Sequence, residues 1–401
     1  MPILDFIFLA IALALLIPSM TLWLECSAAL MPKRAKQDKA RVPRPSVAVL
    51  IPAHNEAAGI KVILENLLPQ LTALDRLLVI ADNCSDDTAA IGDASGATVI
   101  ERQDLERRGK GYALDYGLQF LSEDPPSVVV VVDADCLVHH GSIDRITRLA
   151  VAKMRPVQAT YLMEKPAGSL TPKDSVSALA FRVKNLVRPT GLARLGLPCL
   201  LAGTGMAFPW SVIRQVSLES GHIVEDMQLS LEVACLGRGT LFCSDASVTG
   251  RLPQQEQASK SQRTRWEHGH LQTLLTQVPT LLKASVRQRH FDLLAVALDI
   301  SVPPLSLLVM VWIAATAGAI LAAALGSSWI PTILLAIAGL LILTSIMGAW
   351  AKFCRDEIPA QTLLAVPLYI LWKIPIYLAF LVRPQKKWIR TERDTVELDR
   401  S

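Results

Sequence analysis

The sequence predicts an α/β domain built on a parallel sheet and joined to α-helical transmembrane segments, and three observations carry that prediction. Strand-like apolar runs alternate with helical periodicity from residue 46 onward. One run, Val128–Val132, is five consecutive valines, which suits a strand covered on both faces of a parallel sheet. Long uncharged stretches lie near both ends, and of 401 residues 51% are hydrophobic and only 19% charged, with a mean hydropathy of +0.37. That composition excludes a disordered chain and points away from an ordinary soluble enzyme.

Phe6 to Leu24 is uncharged and bracketed by Asp5 and Glu25, close to the roughly twenty residues that cross the hydrocarbon core. A basic segment precedes a signal peptide's apolar run; here Lys33, Arg34, Lys36, Lys39, Arg41 and Arg44 follow it. This predicts a spanning helix in residues 1–30 and a basic linker over 31–45, with the chain after it in the cytoplasm. The linker's charge sets topology or binds anionic headgroups.

Ser46–Pro52 reads as a first buried strand, Ile60–Leu71 as an amphipathic helix, and Leu77–Ala81 as a second strand. Ser85 or Asp86 can cap the helix that follows. Thr98–Ile100 and the valine run continue the order, giving an α/β domain over 46–286 with ligand groups at the carboxyl ends of its strands. Membrane segments return over 287–382, with spans at Leu305–Leu325 and Trp329–Ala351. A third stretch, Ile358–Val382, contains Lys373 and several prolines. A simple crossing there would leave Arg383, Lys386, Lys387, Arg390 and Arg393 outside, against the usual charge bias. Either the stretch is re-entrant, or Leu293–Pro304 dips in as well. Residues 383–401 form a basic and polar tail. The formal charge of +4 is too small and too scattered to indicate nucleic-acid binding, and the seven cysteines, without a CxxC, read as reduced thiols.

Polar clusters stand at three strand ends: His54, Asn55 and Glu56; Asp82 and Asn83; and Asp133 with Asp135. Two carboxylates two residues apart on extended chain reach the same side and grip a hard divalent cation, leaving positions open for phosphate oxygens. Arg107-Arg-Gly-Lys-Gly111 adds a glycine-flanked Lys110 suited to a diphosphate. Leu201-Ala-Gly-Thr-Gly205 is a loop of small residues. Glu225 and Asp226 open a helix, where acids favour the dipole; alternatively, Asp226 is a general base. Gln262-Arg-Thr-Arg-Trp266 gathers a carboxamide, two guanidinium groups and an indole, suited to phosphate and a sugar ring or, alternatively, to a membrane-interface belt. His268 and His270 diverge on a helix and read as structural.

Taken in order, Pro52-Ala-His-Asn-Glu56, Asp82-Asn-Cys-Ser-Asp-Asp-Thr88, Asp133-Ala-Asp135, Glu225-Asp226 and Gln262-Arg-Thr-Arg-Trp266 resemble the inverting family 2 glycosyltransferases with a GT-A fold. The resemblance covers about Val47 to His270. It falls in the membrane-embedded branch that includes cellulose, hyaluronan, chitin-oligosaccharide and poly-N-acetylglucosamine synthases, marked by its QxxRW. It implies a Rossmann-like, nucleotide-diphospho-sugar transferase domain in the cytoplasm beside transmembrane helices. The nucleotide sugar would be contacted by Ala53, Glu56, Asp82, Lys110, Asp133 and Arg265, and Mg²⁺ or Mn²⁺ held by Asp133 and Asp135. Gly203, Thr204, Gln262 and Trp266 would meet the acceptor, with Asp226 as catalytic base. One departure is Val224, where the family usually has threonine, which removes a hydrogen bond expected to support the base.

The function implied is transfer of a sugar, from a UDP-sugar by family preference, to a growing polysaccharide at the bacterial inner membrane by a multi-pass protein. A homo-oligomer or an export partner would complete a polymer path. The rival is a glycolipid synthase acting on a diacylglycerol, ceramide or polyprenyl diphosphate among the membrane lipids, since ceramide glucosyltransferases share the motif set. A decayed, non-catalytic scaffold is disfavoured by intact Asp133, Asp135, Asp226 and Arg265.

Overall fold

The structure is a computed structural model that describes residues 2–32, 43–164, 171–219, 224–251 and 256–382. The basic residues Lys33 to Arg41 and the tail from Arg383 lie outside the described residues. In chain order the elements are α1 (Pro2–Leu30), β1 (Val47–Ala53), α2 (Ile60–Leu67), β2 (Arg76–Asp82), α3 (Thr88–Ala94), β3 (Thr98–Arg102), α4 (Lys110–Leu121), β4 (Val128–Val131), β5 (Cys136–Val138), α5 (Ser142–Lys153) and β6 (Val157–Glu164). They continue with α6 (Pro172–Arg182), α7 (Arg188–Leu195), β7 (Met206–Pro209), α8 (Trp210–Ile213), α9 (Glu225–Cys235), β8 (Leu241–Arg251), α10 (Glu256–Gln288), α11 (Phe291–Ser301), α12 (Leu305–Ala324), α13 (Ile330–Phe353) and α14 (Val366–Val382). The chain divides into two compact units, one of Met1–Arg34, Pro166–Leu197 and His270–Pro384, the other of Ala35–Lys165, Pro198–Gly269 and Gln385–Ser401.

The second unit holds one eight-stranded sheet in the order β3-β2-β1-β4-β7-β6-β8-β5. Strands β1 to β4 are parallel, as the β-α-β-α alternation predicts, and their carboxyl ends share one edge. The rest of the sheet is mixed: β7 runs antiparallel to β4 and β6, while β8 pairs parallel with β6 and antiparallel with β5. A purely parallel reading therefore stops at β4. From β4 to β7 the chain passes through β5, α5, β6, α6 and α7, so the local β-α alternation no longer sets the strand direction. All four residues of β4 are buried, with Ala48, Leu50, Leu78, Ile80, Val129, Val131 and Phe208 in one core beneath α4. Gly117 lets α4 lie close on the sheet, because a Cβ there would stand 3.1 Å from Ile80 and 3.2 Å from Leu50. Arg44, counted in sequence with the basic linker, instead binds the domain, donating to Asp75 at 2.7 Å.

The first unit is all helical. Four helical segments, Ile3–Leu30, Leu305–Ala324, Ile330–Phe353 and Ala360–Val382, are long and apolar enough to cross a membrane. The ambiguous third C-terminal stretch is thus a continuous helical segment of crossing length. α11, of eleven residues, is too short to cross, at about 1.5 Å per residue. The helices approach closely where side chains are small. Trp312 lies over Gly339 and donates from Nε1 to the Leu335 carbonyl at 2.7 Å. Buried Arg188 donates to the Glu25 carboxylate at 2.6 Å, to the Asp299 carbonyl at 2.7 Å and to the Asp299 carboxylate. A buried ion group of this kind destabilises strongly when one partner is removed.

A Cβ at Gly191 would stand 1.9 Å from the Glu25 carbonyl oxygen, so only a glycine there lets α7 lie this close to α1. Gly191→Ala is expected to lower the thermal midpoint in detergent by about 5 °C or more. Gly59→Ala, where a Cβ meets nothing within 4 Å, should leave it nearly unchanged.

Candidate active site

The carboxyl ends of β1 and β2 are locked together before any ligand arrives. Asn55 and Asn83 adopt left-handed backbone, with φ of 53° and 52°, a conformation asparagine tolerates well. Asn55 Oδ1 accepts from the Ser85 amide at 2.7 Å, the Glu56 amide donates to Thr88 Oγ1 at 2.8 Å, and the Ala57 amide donates to Asp86 at 3.1 Å. Ala53 is buried at the end of β1. His54 Nδ1 lies 2.6 Å from the Asp82 carbonyl oxygen.

Asp82 is not a bare nucleotide-facing carboxylate. Its register partner on β3 is Arg102, which donates from Nη1 to Asp82 Oδ1 at 2.6 Å, and Asn83 Nδ2 donates to the same oxygen at 2.9 Å. Burial pushes the Asp82 carboxyl up, and Arg102 opposes that rise. Arg102 continues to Asp104 at 3.1 Å and to the Arg107 carbonyl at 2.8 Å, so the ion pair also pins the loop ahead of Lys110.

Lys110 opens α4 after Gly109, whose φ of 131° suits glycine. Its ammonium donates to Asp133 and, at 2.7 Å, to the Gly203 carbonyl. Burial disfavours the charge, but Asp133, Glu225 and Asp226 outweigh it and hold the lysine protonated. Gly203 has φ +89°, and a Cβ there would stand 3.6 Å from Asp226 Oδ2 and 3.8 Å from Lys110 Nζ. Thr204 is fully buried, and its Oγ1 accepts from the Asp133 amide at 3.1 Å. Lys110, Asp133, Gly203, Thr204 and Asp226 are therefore neighbours, although 93 residues separate Lys110 from Gly203.

Glu225 and Asp226 begin α9, where the dipole favours acids. Asp226 Oδ1 accepts from the Met227 amide at 2.8 Å. Burial raises the Glu225 carboxyl to about 7, with Lys110 opposing and Asp226 reinforcing the shift. Val224, in the place of the expected threonine, has an apolar contact instead of a hydrogen bond: a Cβ at Gly269 of α10 would stand 2.5 Å from its Cγ1. Arg265 and Trp266, four and three residues before Gly269, share that face of α10. They and Gln262 are half-buried. His268 is buried in α10, and buried His270, whose Nε2 lies 3.0 Å from the Ile300 carbonyl oxygen, is pushed down to about 3 by burial and stays neutral.

Asp133, Asp135 and Cys136 bring their ligand-type atoms within 4.8 Å of one another. Two carboxylates suit Mg²⁺ or Mn²⁺. Cys136 is buried, and that burial, with both aspartates beside it, pushes its thiol well up, so it stays protonated. The donor set fits a hard divalent ion through oxygen. Sequence motifs do not mark Arg102, Gln158, Ser230 or the raised carboxyl of Glu225. A basic residue closing a strand, as Arg102 closes β3, was the one visible signal.

A sheet of this order, with acids at its parallel strand ends and a helix opening on Glu225 and Asp226 beside them, defines the GT-A class of nucleotide-diphospho-sugar transferase folds. Residues 43–269 match the family described as Glycosyltransferase like family 2, and the chain belongs to that family. The probable glycosyltransferase YdaM of Bacillus subtilis (strain 168) is 26% identical over 267 residues, 62% of this chain and 61% of that protein. The chain thus spans about three fifths of that relative's length. Glucosyl-3-phosphoglycerate synthase of Mycobacterium tuberculosis (strain ATCC 25618 / H37Rv) is 35% identical over 101 residues, 24% of this chain and 30% of that one. Among solved structures, the mannosyltransferase PcManGT from Pyrobaculum calidifontis, in complex with GDP-Man and Mn²⁺, aligns with a TM-score of 0.54 at 20% identity, over 92% of this chain and 99% of its own. The likeness is one of fold.

Two outcomes follow from this geometry. Between pH 4.5 and about 7 only the folded state keeps the Glu225 proton, so its contribution to stability falls as pH rises through that window and stays low above it. In chelator-treated protein, Glu225→Gln should remove that slope, on the order of 1 kcal/mol per pH unit, as read by denaturant unfolding at pH 5, 6 and 7. Gly269→Ala should lower sugar turnover by about tenfold or more by pushing α10 off Val224, and adding Val224→Ala should recover much of the loss.

Proposed function

We propose that this glycosyltransferase moves a sugar, with inversion, from a nucleotide-diphosphate sugar to a growing polysaccharide at the cytoplasmic face of a bacterial inner membrane. The observation that carries the reading is the convergence of Lys110, Asp133, Gly203 and Asp226. Asp226 takes the acceptor hydroxyl's proton as that oxygen attacks the anomeric carbon. The bond from that carbon to the diphosphate breaks on the opposite face, and the nucleoside diphosphate departs with the bonding pair. Lys110 and Arg265 supply positive charge where the leaving group gathers negative charge. A divalent cation held by Asp133 and Asp135, Mg²⁺ or Mn²⁺, would add to that charge when bound.

Asp226 is preferred over Glu225 as base because its Oδ2 faces the Gly203 turn, whereas the Glu225 carboxyl is raised to about 7. Ala53, Glu56 and Asp82 would form the nucleotide side, with Asp82 held by Arg102. Thr204, Gln262 and Trp266 would form the acceptor side, in keeping with the QxxRW branch. A UDP-sugar is favoured by that branch, while GDP-Man in the solved mannosyltransferase keeps a GDP-sugar in the panel to be tested. A second reading, transfer of one sugar to a membrane lipid, is favoured by the four segments of crossing length among the described residues, few for a self-contained polymer path. An oligomer or an export partner would supply the rest under the first reading.

Asp226→Asn should bind the nucleotide sugar with an unchanged dissociation constant by calorimetry while turnover falls by about 10³-fold or more. Near-normal turnover in that variant would remove Asp226 from the mechanism.

A further inference from the structure

We infer that Ser230 and Gln158 are positioning residues that hold Leu201–Thr204 as a strut between the Asp133 strand end and the Asp226 helix. The inference rests on the reading of Asp226 as the base. Ser230 is 2% exposed and lies one helical turn after Asp226. Its Oγ accepts from the Leu201 amide at 2.8 Å, so its hydroxyl proton is free to donate to the Asp226 carbonyl, also at 2.8 Å. A serine that bonds back to residue i−4 slightly bends its helix. Here that bond falls in the turn that begins at Asp226, and the same oxygen anchors the loop.

Gln158, on β6 and also 2% exposed, secures the next part of that loop. Its Oε1 accepts from the Ala202 amide at 2.9 Å, and its Nε2 donates to the Thr204 carbonyl at 2.9 Å and to the Ala159 carbonyl at 2.7 Å. Thr204 Oγ1 then accepts from the Asp133 amide, and the Gly203 carbonyl accepts from Lys110. Polar groups from Leu201 through Thr204 are thus directed, one residue after another, to Ser230, Gln158, Lys110 and Asp133. A shift of the loop at either end moves the base relative to the acids that would hold metal and donor. Orientation errors of about 1 Å can cost on the order of 10²-fold in rate, so the strut's effect belongs in turnover rather than in donor binding.

The test uses full-length protein in lipid nanodiscs with Mn²⁺, carrying Ser230→Ala, Ser230→Thr, Gln158→Leu or Asp226→Asn. UDP-glucose and GDP-mannose serve as probes, and turnover is read as nucleoside diphosphate released. Nucleotide-binding stoichiometry by calorimetry counts folded sites, so rates are expressed per binding site and loss of fold is separated from loss of positioning. Ser230→Ala is expected to lower kcat per site by about 10- to 100-fold with the donor KM within about threefold. Ser230→Thr, which keeps the hydroxyl, should recover most of that loss, and Gln158→Leu should behave like Ser230→Ala. Wild-type kcat per site in Ser230→Ala, or a rate that falls only in step with binding stoichiometry, overturns the inference. If Asp226→Asn turns over normally, the reading beneath it fails instead, whatever Ser230 shows.

Discussion

The ammonium of Lys110 shares a half-buried cleft with the carboxylates of Asp133, Glu225 and Asp226, and the geometry of the site follows from how that charge is balanced. Buried carboxylates are tolerated only where cations, hydrogen bonds or protons compensate them. One lysine cannot neutralise three acids. A proton on Glu225 near neutrality and the start of α9, whose dipole favours acids, contribute to the balance. Such a space attracts further positive charge, as a divalent cation would supply.

The fold serves this balance from several directions. Parallel strands carry Ala53, Asp82 and Asp133 to one edge, where β-α connections open into loops rather than sheet. α4 delivers Lys110 because Gly109 turns the chain sharply into the helix and Gly117 lets the helix lie low on Leu50 and Ile80. α9 delivers the acid pair, and α10 meets it through the contact of Gly269 with Val224. The Arg102–Asp82 pair holds the neighbouring strand end. The site is thus assembled by close glycine approaches and buried polar bonds, both of which tolerate little displacement.

Much of this was legible in the sequence, for physical reasons that also mark its limits. Five valines can hardly be read other than as a covered strand, and acids directly after such a strand must emerge at its carboxyl end, as Asp133 does. Charge-free stretches of membrane length announced the helical unit, although the prolines and Lys373 obscured Ala360–Val382. Arg102, Gln158 and Ser230 were not legible as site residues because their partners lie at distant positions that no periodicity connects. The mixed half of the sheet was hidden for the same reason: β7 finds β4 across two intervening strands and three helices. Val224 shows the opposite case, a visible departure from a pattern whose consequence, a packed glycine instead of a hydrogen bond, required the fold.

The central claim is that the acids and lysine at this sheet edge carry sugar transfer at a membrane. The most direct measurement is a radiolabelled transfer assay on the full chain in lipid nanodiscs, with Mg²⁺ or Mn²⁺, a panel of nucleotide sugars, and products separated by size and by organic extraction. Labelled product is expected from one nucleotide sugar, dependent on the divalent ion, as a water-soluble ladder of rising mass. Bound nucleotide sugar with no labelled product, in the presence of both acceptor classes, would contradict it.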